Sequence, residues 1–189
     1  MPRPSLIPLL RRLRRSTEGL AAIEFAMFAP VLGLLLLGGY DLSRFIIARA
    51  NVDKVGFSVA DVTSQYEQLN ATTMEQIFKI TGSSLQTYVS GTNGVTILTS
   101  IYLDSAGVPR VRWQCYSSAA TWKSAIGAEG GVAAVNANLL ADVNDNVMTS
   151  EVYFRFTPVF SRFFKDSVTL YTASIYRPRL GALTTKPCS

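Results

Sequence analysis

One carboxylate stands where apolar residues flank it on both sides. Glu24 interrupts a run that begins at Leu20 and continues, through Phe25 and Pro30, to Tyr40. An ionised acid in such surroundings lacks water and needs a counter-charge, so it is costly unless it serves one. Pro30 is the second irregular residue of the run. It removes one helical hydrogen bond and predicts a kink or local loosening. Cys115 and Cys188 are the other residues with chemistry of their own. In an exported domain two cysteines most simply form one disulfide, and two free surface thiols are the alternative. If bonded, they close a loop of about 70 residues, worth ~4 kcal/mol on the chain-entropy model.

Conventional catalysis and metal binding find little here. The chain has no His, which removes the commonest general base and metal ligand. Serines are plentiful, but nothing marks one as activated, and there is no glycine-rich phosphate loop. Two distant cysteines do not make a CxxC zinc site. Asp142-Val143-Asn144-Asp145-Asn146 is rich in oxygen donors, but Val147 and Tyr153 stand where a calcium loop needs Gly and Glu, so a polar turn is the better reading. Asn70-Ala71-Thr72 is a formal glycosylation acceptor that a bacterial exporter would not read. No enzyme activity, cofactor or metal is expected.

Charge shows which way the apolar run faces. The 189-residue chain carries a net +5, yet residues 1–19 hold Arg3, Arg11, Arg12, Arg14 and Arg15 against Glu18, a net +4. A nucleic-acid partner would need basic groups spread over a folded face, so none is expected. Cations massed before an apolar segment follow the positive-inside rule and hold that end in the cytoplasm. Charged residues make up 16% of the chain and mean hydropathy is +0.22, which suits a tethered protein. The segment from Leu20, with Leu42 and Phe45–Ala48, is long enough to cross roughly 30 Å of hydrocarbon. An uncleaved anchor with Glu24 near the headgroups is one reading. A secretory signal peptide cut near Gly38 and Gly39 is another, against which the long core and Glu24 both count.

A third reading gives Glu24 a role. Ser16-Thr17-Glu18-Gly19 precedes Leu20-Ala21-Ala22-Ile23-Glu24-Phe25. A basic leader, a Gly, then an apolar helix with Glu at its fifth position resembles the class III signal of type IV pilins and pseudopilins. More closely, GLAAIEFAMFAPVLGLLLLGGYDLSR resembles the TadE-like family of the tight-adherence (Tad) pilus, through Gly19, Ile23-Glu24-Phe25, Ala26 and Pro30. A Tyr/Phe-rich strand before Thr157-Pro158 and a strand closing at Arg177-Pro178-Arg179 resemble it more weakly.

The resemblance implies a minor pilin or pseudopilin that assembles a Tad-type adhesive pilus. Its implied partners are a prepilin peptidase, other Tad pilins, inner-membrane assembly proteins and the lipid bilayer. The peptidase would cut between Gly19 and Leu20, where a residue without a side chain leaves the backbone accessible. The new α-amine of Leu20 and the Glu24 carboxylate would then set the register between neighbouring helices, with Phe25 beside them. The implied location is the bacterial inner membrane, N-terminus cytoplasmic and C-terminal domain periplasmic, with incorporation into the pilus as a further possibility. The rival from another class is a membrane-tethered periplasmic binding domain without a pilus role. Larger proteins of such systems carry a von Willebrand A-type Asp-x-Ser-x-Ser metal motif, which this sequence lacks.

The elements that must carry these residues are legible from periodicity. Phe45, Ala48, Val52, Val55, Val59, Val62, Tyr66 and Leu69 alternate in steps of three and four, one stripe of an amphipathic helix reaching about Leu69. At ~1.5 Å per residue such a helix would be a rod of roughly 75 Å. The stripe is expected on the chain's own sheet, with a coiled-coil arm as the alternative. Thr72-Thr73-Met74-Glu75 reads as a capping box for a short helix ending near Gly82. Val95–Leu103, Val111–Cys115, Val147–Phe156 and Ser167–Arg177 read as strands, with a buried face at Val111, Trp113 and Cys115 and a wet face at Arg112 and Gln114.

Residues 117–146 are Ala-, Gly- and Asn-rich and read as a loop plus a short helix around Val132–Leu140. Trp113, Trp122, Tyr153, Phe154, Phe156, Phe160, Phe163 and Phe164 read mainly as core, with an exposed docking patch as the alternative; Arg110, Arg112, Arg155 and Arg162 read as solvated, with a subunit contact as the alternative. The expected fold is α+β: a long N-terminal transmembrane and amphipathic helix, then an antiparallel sheet of about four strands. The segments are a basic leader (1–19), a membrane helix (20–48), a periplasmic helix extension with a short helix (49–90) and a β-rich domain (91–189).

Overall fold

A computed structural model describes residues 19–85, 87–118, 122–143, 145–160, 166–181 and 183–188. The leader arginines, Ser16–Glu18, Asn144, Arg162, Phe163 and Phe164 lie outside the described residues. Two compact units divide at Leu42/Ser43. The first contains the apolar part of helix α1, which runs Leu20–Ser64 and continues through Pro30. The second contains the rest of α1, helix α2 (Ala71–Ser84) and strands β1 (Gly94–Leu103), β2 (Pro109–Tyr116), β3 (Asn146–Phe156) and β4 (Val168–Tyr176). All neighbours in the sheet are antiparallel, in the order β2-β1-β3-β4. The architecture is α+β, as the residue pattern implies.

Within the second unit the stripe of α1 does what its spacing demands. Val52, Val55 and Val59 are buried with Leu98, Trp113, Met148, Val152, Phe154 and Leu170 of the sheet, and Phe45, Ala48, Val62 and Tyr66 pack at the margin. The stripe therefore belongs to the domain core rather than to a free arm. The helix stops at Ser64, five residues short of the expected end. Thr63 Oγ1 donates to the Val59 carbonyl at 2.6 Å and Ser64 Oγ to that of Asp61 at 2.7 Å. Such back-bonding offers the backbone an alternative to the helical ladder, and the last turn tightens, with Gln65 N bonding the Val62 carbonyl. Tyr66 and Leu69 join the core from the connection instead.

Helix α2 begins one residue before the expected box. Asn70 is its cap, Oδ1 accepting from Thr73 N at 2.8 Å, while Glu75 pairs with Lys79 at 2.9 Å. The expected helix at Val132–Leu140 is a single 3-10 turn, Ala137–Leu139. Val132 instead bridges Arg110 and the Ala133 amide donates to the Pro109 carbonyl at 2.8 Å, so this stretch lines β2.

The wet face expected on β2 is also covered. A register shift at Ser100/Ile101 puts Val111 opposite Ile101, on the side away from Trp113 and Cys115. There Ile101, Val111 and Val147 form a second core with Ile126, Ala133 and Leu140 from the long connection. Gln114 is buried beneath that connection, Nε2 donating to the Gly127 carbonyl at 2.8 Å and to Thr99 Oγ1 at 3.2 Å. A bulge changes which face a residue occupies, and alternation read from sequence alone carries straight through it.

Cys115 and Cys188 are bonded, Cα to Cα 5.8 Å, across 73 residues of sequence. Trp113 Nε1 donates to the Leu183 carbonyl at 2.9 Å, so a covalent bond and a hydrogen bond hold the C-terminal tail against β2.

Candidate functional site

The residues singled out for chemistry at the N-terminus share one helix. Gly19 supplies the carbonyl for the first helical bond, accepting from Ile23 N at 3.1 Å. A Cβ placed on Gly19 would meet nothing within 4 Å. Packing in this chain therefore does not require a glycine there, and its reason lies outside the described structure. Leu20 opens α1 and Glu24 follows one turn later, so the two lie on the same face of the helix. Pro30 lies further along, and having no N–H it leaves the Ala26 carbonyl without its helical donor.

The surface around Glu24 is apolar and uncovered. Leu20, Ile23, Phe25, Met27 and Phe28 are each at least 60% exposed, and large apolar side chains remain exposed on to Leu42. A helix that is apolar all round is stable in lipid or among neighbours, not as a surface in water. Among the described residues this is the one helix long and apolar enough to cross a membrane. Glu24 is exposed within it, and no described residue pairs with its carboxylate. The segment thus presents an acid without a counter-charge among the described residues, on a surface built for hydrocarbon.

Residues 19–60 match the family model of TadE-like proteins. Over those residues the chain is similar to TadE-like proteins. The match takes in Gly19, Leu20, Glu24, Phe25 and Pro30, and it extends along the amphipathic stripe past Val59. No curated protein and no solved structure matches the sequence. The exposed apolar helix within the matched residues is consistent with a single-pass membrane protein.

Beyond the TadE-like segment, the domain holds a buried acid that sequence reasoning missed. Glu151 of β3 is fully buried on the sheet face away from α1. Its carboxylate accepts from the Ser124 hydroxyl, from Ala125 N at 2.9 Å and from the Tyr171 hydroxyl at 3.0 Å. Tyr153 stacks on Tyr171 with ring centroids 4.6 Å apart, and Trp122 on Tyr153 at 5.4 Å. Burial, then the negative Glu151 nearby, push the Tyr171 hydroxyl well above its ordinary pKa, and Tyr153 moves the same way for the same reasons. These phenols are donors that stay protonated, so the cluster fastens the 122–126 stretch to the sheet rather than moving protons. Strand alternation leaves the 151 position ambiguous, because the covering loop carries no periodic signal.

Two other stretches offer little chemistry. Asp145 spends its oxygens on Ala141 N at 2.9 Å, Asn146 N at 2.8 Å and Arg177 Nη1 at 2.9 Å, a turn rather than a cation loop. A cavity of about 280 Å³ lined by Arg44, Ile47, Leu85, Phe154 and Phe156 among others contains no carboxylate or thiol. Arg110 pairs with Asp104 at 2.6 Å, while Arg112 lies over Tyr102 at 4.5 Å and Arg155 over Trp122 at 5.3 Å. These cations are therefore engaged rather than simply solvated.

Proposed function

We propose that this protein is a minor pilin or pseudopilin that acts in assembly of a Tad-type adhesive pilus. Its work is mechanical rather than enzymatic, and its partners are other Tad pilins, inner-membrane assembly proteins and a prepilin peptidase. The observation that carries the reading is Glu24, an exposed acid in the apolar, uncovered N-terminal part of α1, one turn after the Gly19–Leu20 junction.

The physical argument is one of compensation. Cleavage at Gly19–Leu20 would create an α-amine that is cationic near neutral pH. Both it and Glu24 need partners in lipid. When two such helices pack side by side, the acid of one meets the terminus of the next, and any other register strands a charge in low dielectric. Phe25 adds apolar contact beside that pair. Pro30 loosens the helix so that a subunit can leave the membrane. The leader arginines hold the N-terminus in the cytoplasm. The Cys115–Cys188 disulfide supports a periplasmic domain, because such bonds persist in oxidising compartments.

The test is Glu24→Ala in the native host, reading membrane insertion and fibre formation separately. The variant should insert normally and fail to assemble. Intact fibres with the acid removed would instead favour a periplasmic binding domain on a plain tether.

A further inference from the structure

We propose that the cavity beside Arg44, where α1 enters the second unit, holds the headgroup of an anionic phospholipid of the phosphatidylglycerol type. The inference rests on α1 spanning a bilayer. It is independent of a pilus role and of cleavage at Gly19.

The lining of this cavity divides by chemistry. Arg44, Asn51 and Thr87 supply its polar groups, while Ile47, Leu85, Phe154 and Phe156 make an apolar wall. Among the described residues Arg44 is the one charged side chain in that lining. A wall that is largely apolar, with a cation and no acid, suits an anionic amphiphile. The same lining selects among headgroups. A phosphate takes charge-assisted bonds from Arg44, and uncharged hydroxyls exchange hydrogen bonds with Asn51 and Thr87. An ethanolamine ammonium would find no carboxylate there, and a cation taken out of water without a partner is costly.

The wall is formed before any ligand arrives. Asn93 Oδ1 accepts from Val89 N at 2.7 Å and its Nδ2 donates to the Thr87 carbonyl at 2.6 Å, which fixes the loop between α2 and β1. The Arg44 guanidinium stands 5.6 Å from the Phe156 ring centroid. With five N–H donors it can serve a phosphate beside the contacts it already makes. Asp41, the acid nearest in sequence, is fully buried and lines no part of the cavity. Depth argues for a lipid as the occupant. The apolar run reaches Leu42, and at ~1.5 Å per residue Arg44 follows it by roughly 3 Å. Each headgroup layer of a bilayer is roughly 5–8 Å thick, so Arg44–Ile47 falls within one. Leu42, Ile46, Ile47 and Val89 are each at least 50% exposed. Ile47 also lines the cavity, so apolar surface leads from the span to its mouth. A soluble anion has no use for such a rim, whereas acyl chains do.

Full-length protein in phosphatidylcholine nanodiscs, doped equally with phosphatidylglycerol and phosphatidylethanolamine, supplies the test. Native mass spectrometry counts the lipids that stay bound, and the wild type should retain phosphatidylglycerol over phosphatidylethanolamine. Arg44→Gln should lower that retention about fivefold, the usual worth of one cation at a lipid surface. Ala48→Leu narrows the cavity with the arginine in place and should lower it too. Arg49→Gln should keep the wild-type preference, because Arg49 lies outside the lining and is engaged by the Tyr171 carbonyl and Asp53. The Cys115–Cys188 bond, verified by peptide mass, reports that each variant folds. Equal retention of the two lipids, wild-type retention in folded Arg44→Gln, or an equal loss in Arg49→Gln would overturn the proposal. Displacement of the lipid by excess glycerol phosphate would overturn it as well, by showing a site for soluble anions. Resistance to carbonate extraction from native membranes checks the span by itself, and release would remove the ground on which the inference rests.

Discussion

Gly56 of α1 and Thr172 of β4 lie so close that a Cβ on the glycine would stand 2.7 Å from the threonine Cγ2. Ser174 Oγ would be the next atom met, at 3.3 Å. Strand β4 can therefore lie against the helix only because position 56 has no side chain. The glycine costs helix propensity, and close packing on the sheet offsets that loss.

A side chain forced into this contact must push the strand away or distort the threonine. Gly56→Leu is expected to destabilise the domain by about 1–3 kcal/mol, the usual cost of overpacking. Gly56→Ala should be milder, because alanine regains up to about 1 kcal/mol of helix propensity. Urea unfolding of the full chain in detergent checks the order, which an equal response of the two variants would contradict.

The contact between Gly56 and Thr172 could not be read from spacing, although the stripe around it could. Val52, Val55 and Val59 repeat with helical period, and the structure buries all three. The same was true of the strands, whose β-branched runs lie within a residue or two of β1 to β4. What the sequence hid depends on partners distant in the chain. The bulge beside Ile101 turned Val111 onto the second face, and the aperiodic 117–146 stretch covered that face with Ile126, Ala133 and Leu140. Glu24 stood out because a charge in an apolar run is conspicuous anywhere. Glu151 did not, because an acid in a strand reads as solvent-facing until its three donors are seen.

Those donors set a second expectation. Replacing Glu151 with Leu leaves the Ser124 hydroxyl, the Ala125 amide and the Tyr171 hydroxyl without their acceptor. A stranded buried donor costs about 1–3 kcal/mol, so Glu151→Leu should destabilise by at least that much. It should also speed amide exchange at Ala125. Wild-type exchange at Ala125 in that variant would show that the carboxylate is not what holds the loop.

The disulfide contributes through the unfolded chain as well as the folded one. Cys115 and Cys188 close 73 residues of sequence, and removing such a bond typically costs about 2–5 kcal/mol. Reduction should lower the unfolding midpoint and free the tail, with Trp113 fluorescence shifting as its Leu183 contact loosens. An unchanged midpoint with the bond verifiably reduced would contradict this.

Acid should weaken the domain through two aspartates. Hydrogen bonding by Arg110, then by the Val108 amide, holds Asp104 below the ordinary carboxyl value of 3.8. The Ala141 amide is the main cause of the same shift at Asp145, with Asn146 N and Arg177 adding to it. A folded pKa below the unfolded one means that the unfolded chain takes up protons first. Stability from these groups is thus present above 3.8 and lost as pH falls through their folded values. Asp104→Asn with Asp145→Asn should flatten the acid limb of the stability curve. An acid limb as steep as wild type would place the titrating groups elsewhere.

Whether Glu24 has a neighbouring cation depends on what precedes the apolar helix in the working protein. Mass spectrometry of the N-terminus, on protein recovered from its native membrane, decides this most directly. The expected result is a chain that begins at Leu20 with a free α-amine. A chain still carrying Gly19 and the arginine-rich leader would contradict it, because Glu24 would then lack the neighbouring cation on which the proposed register depends.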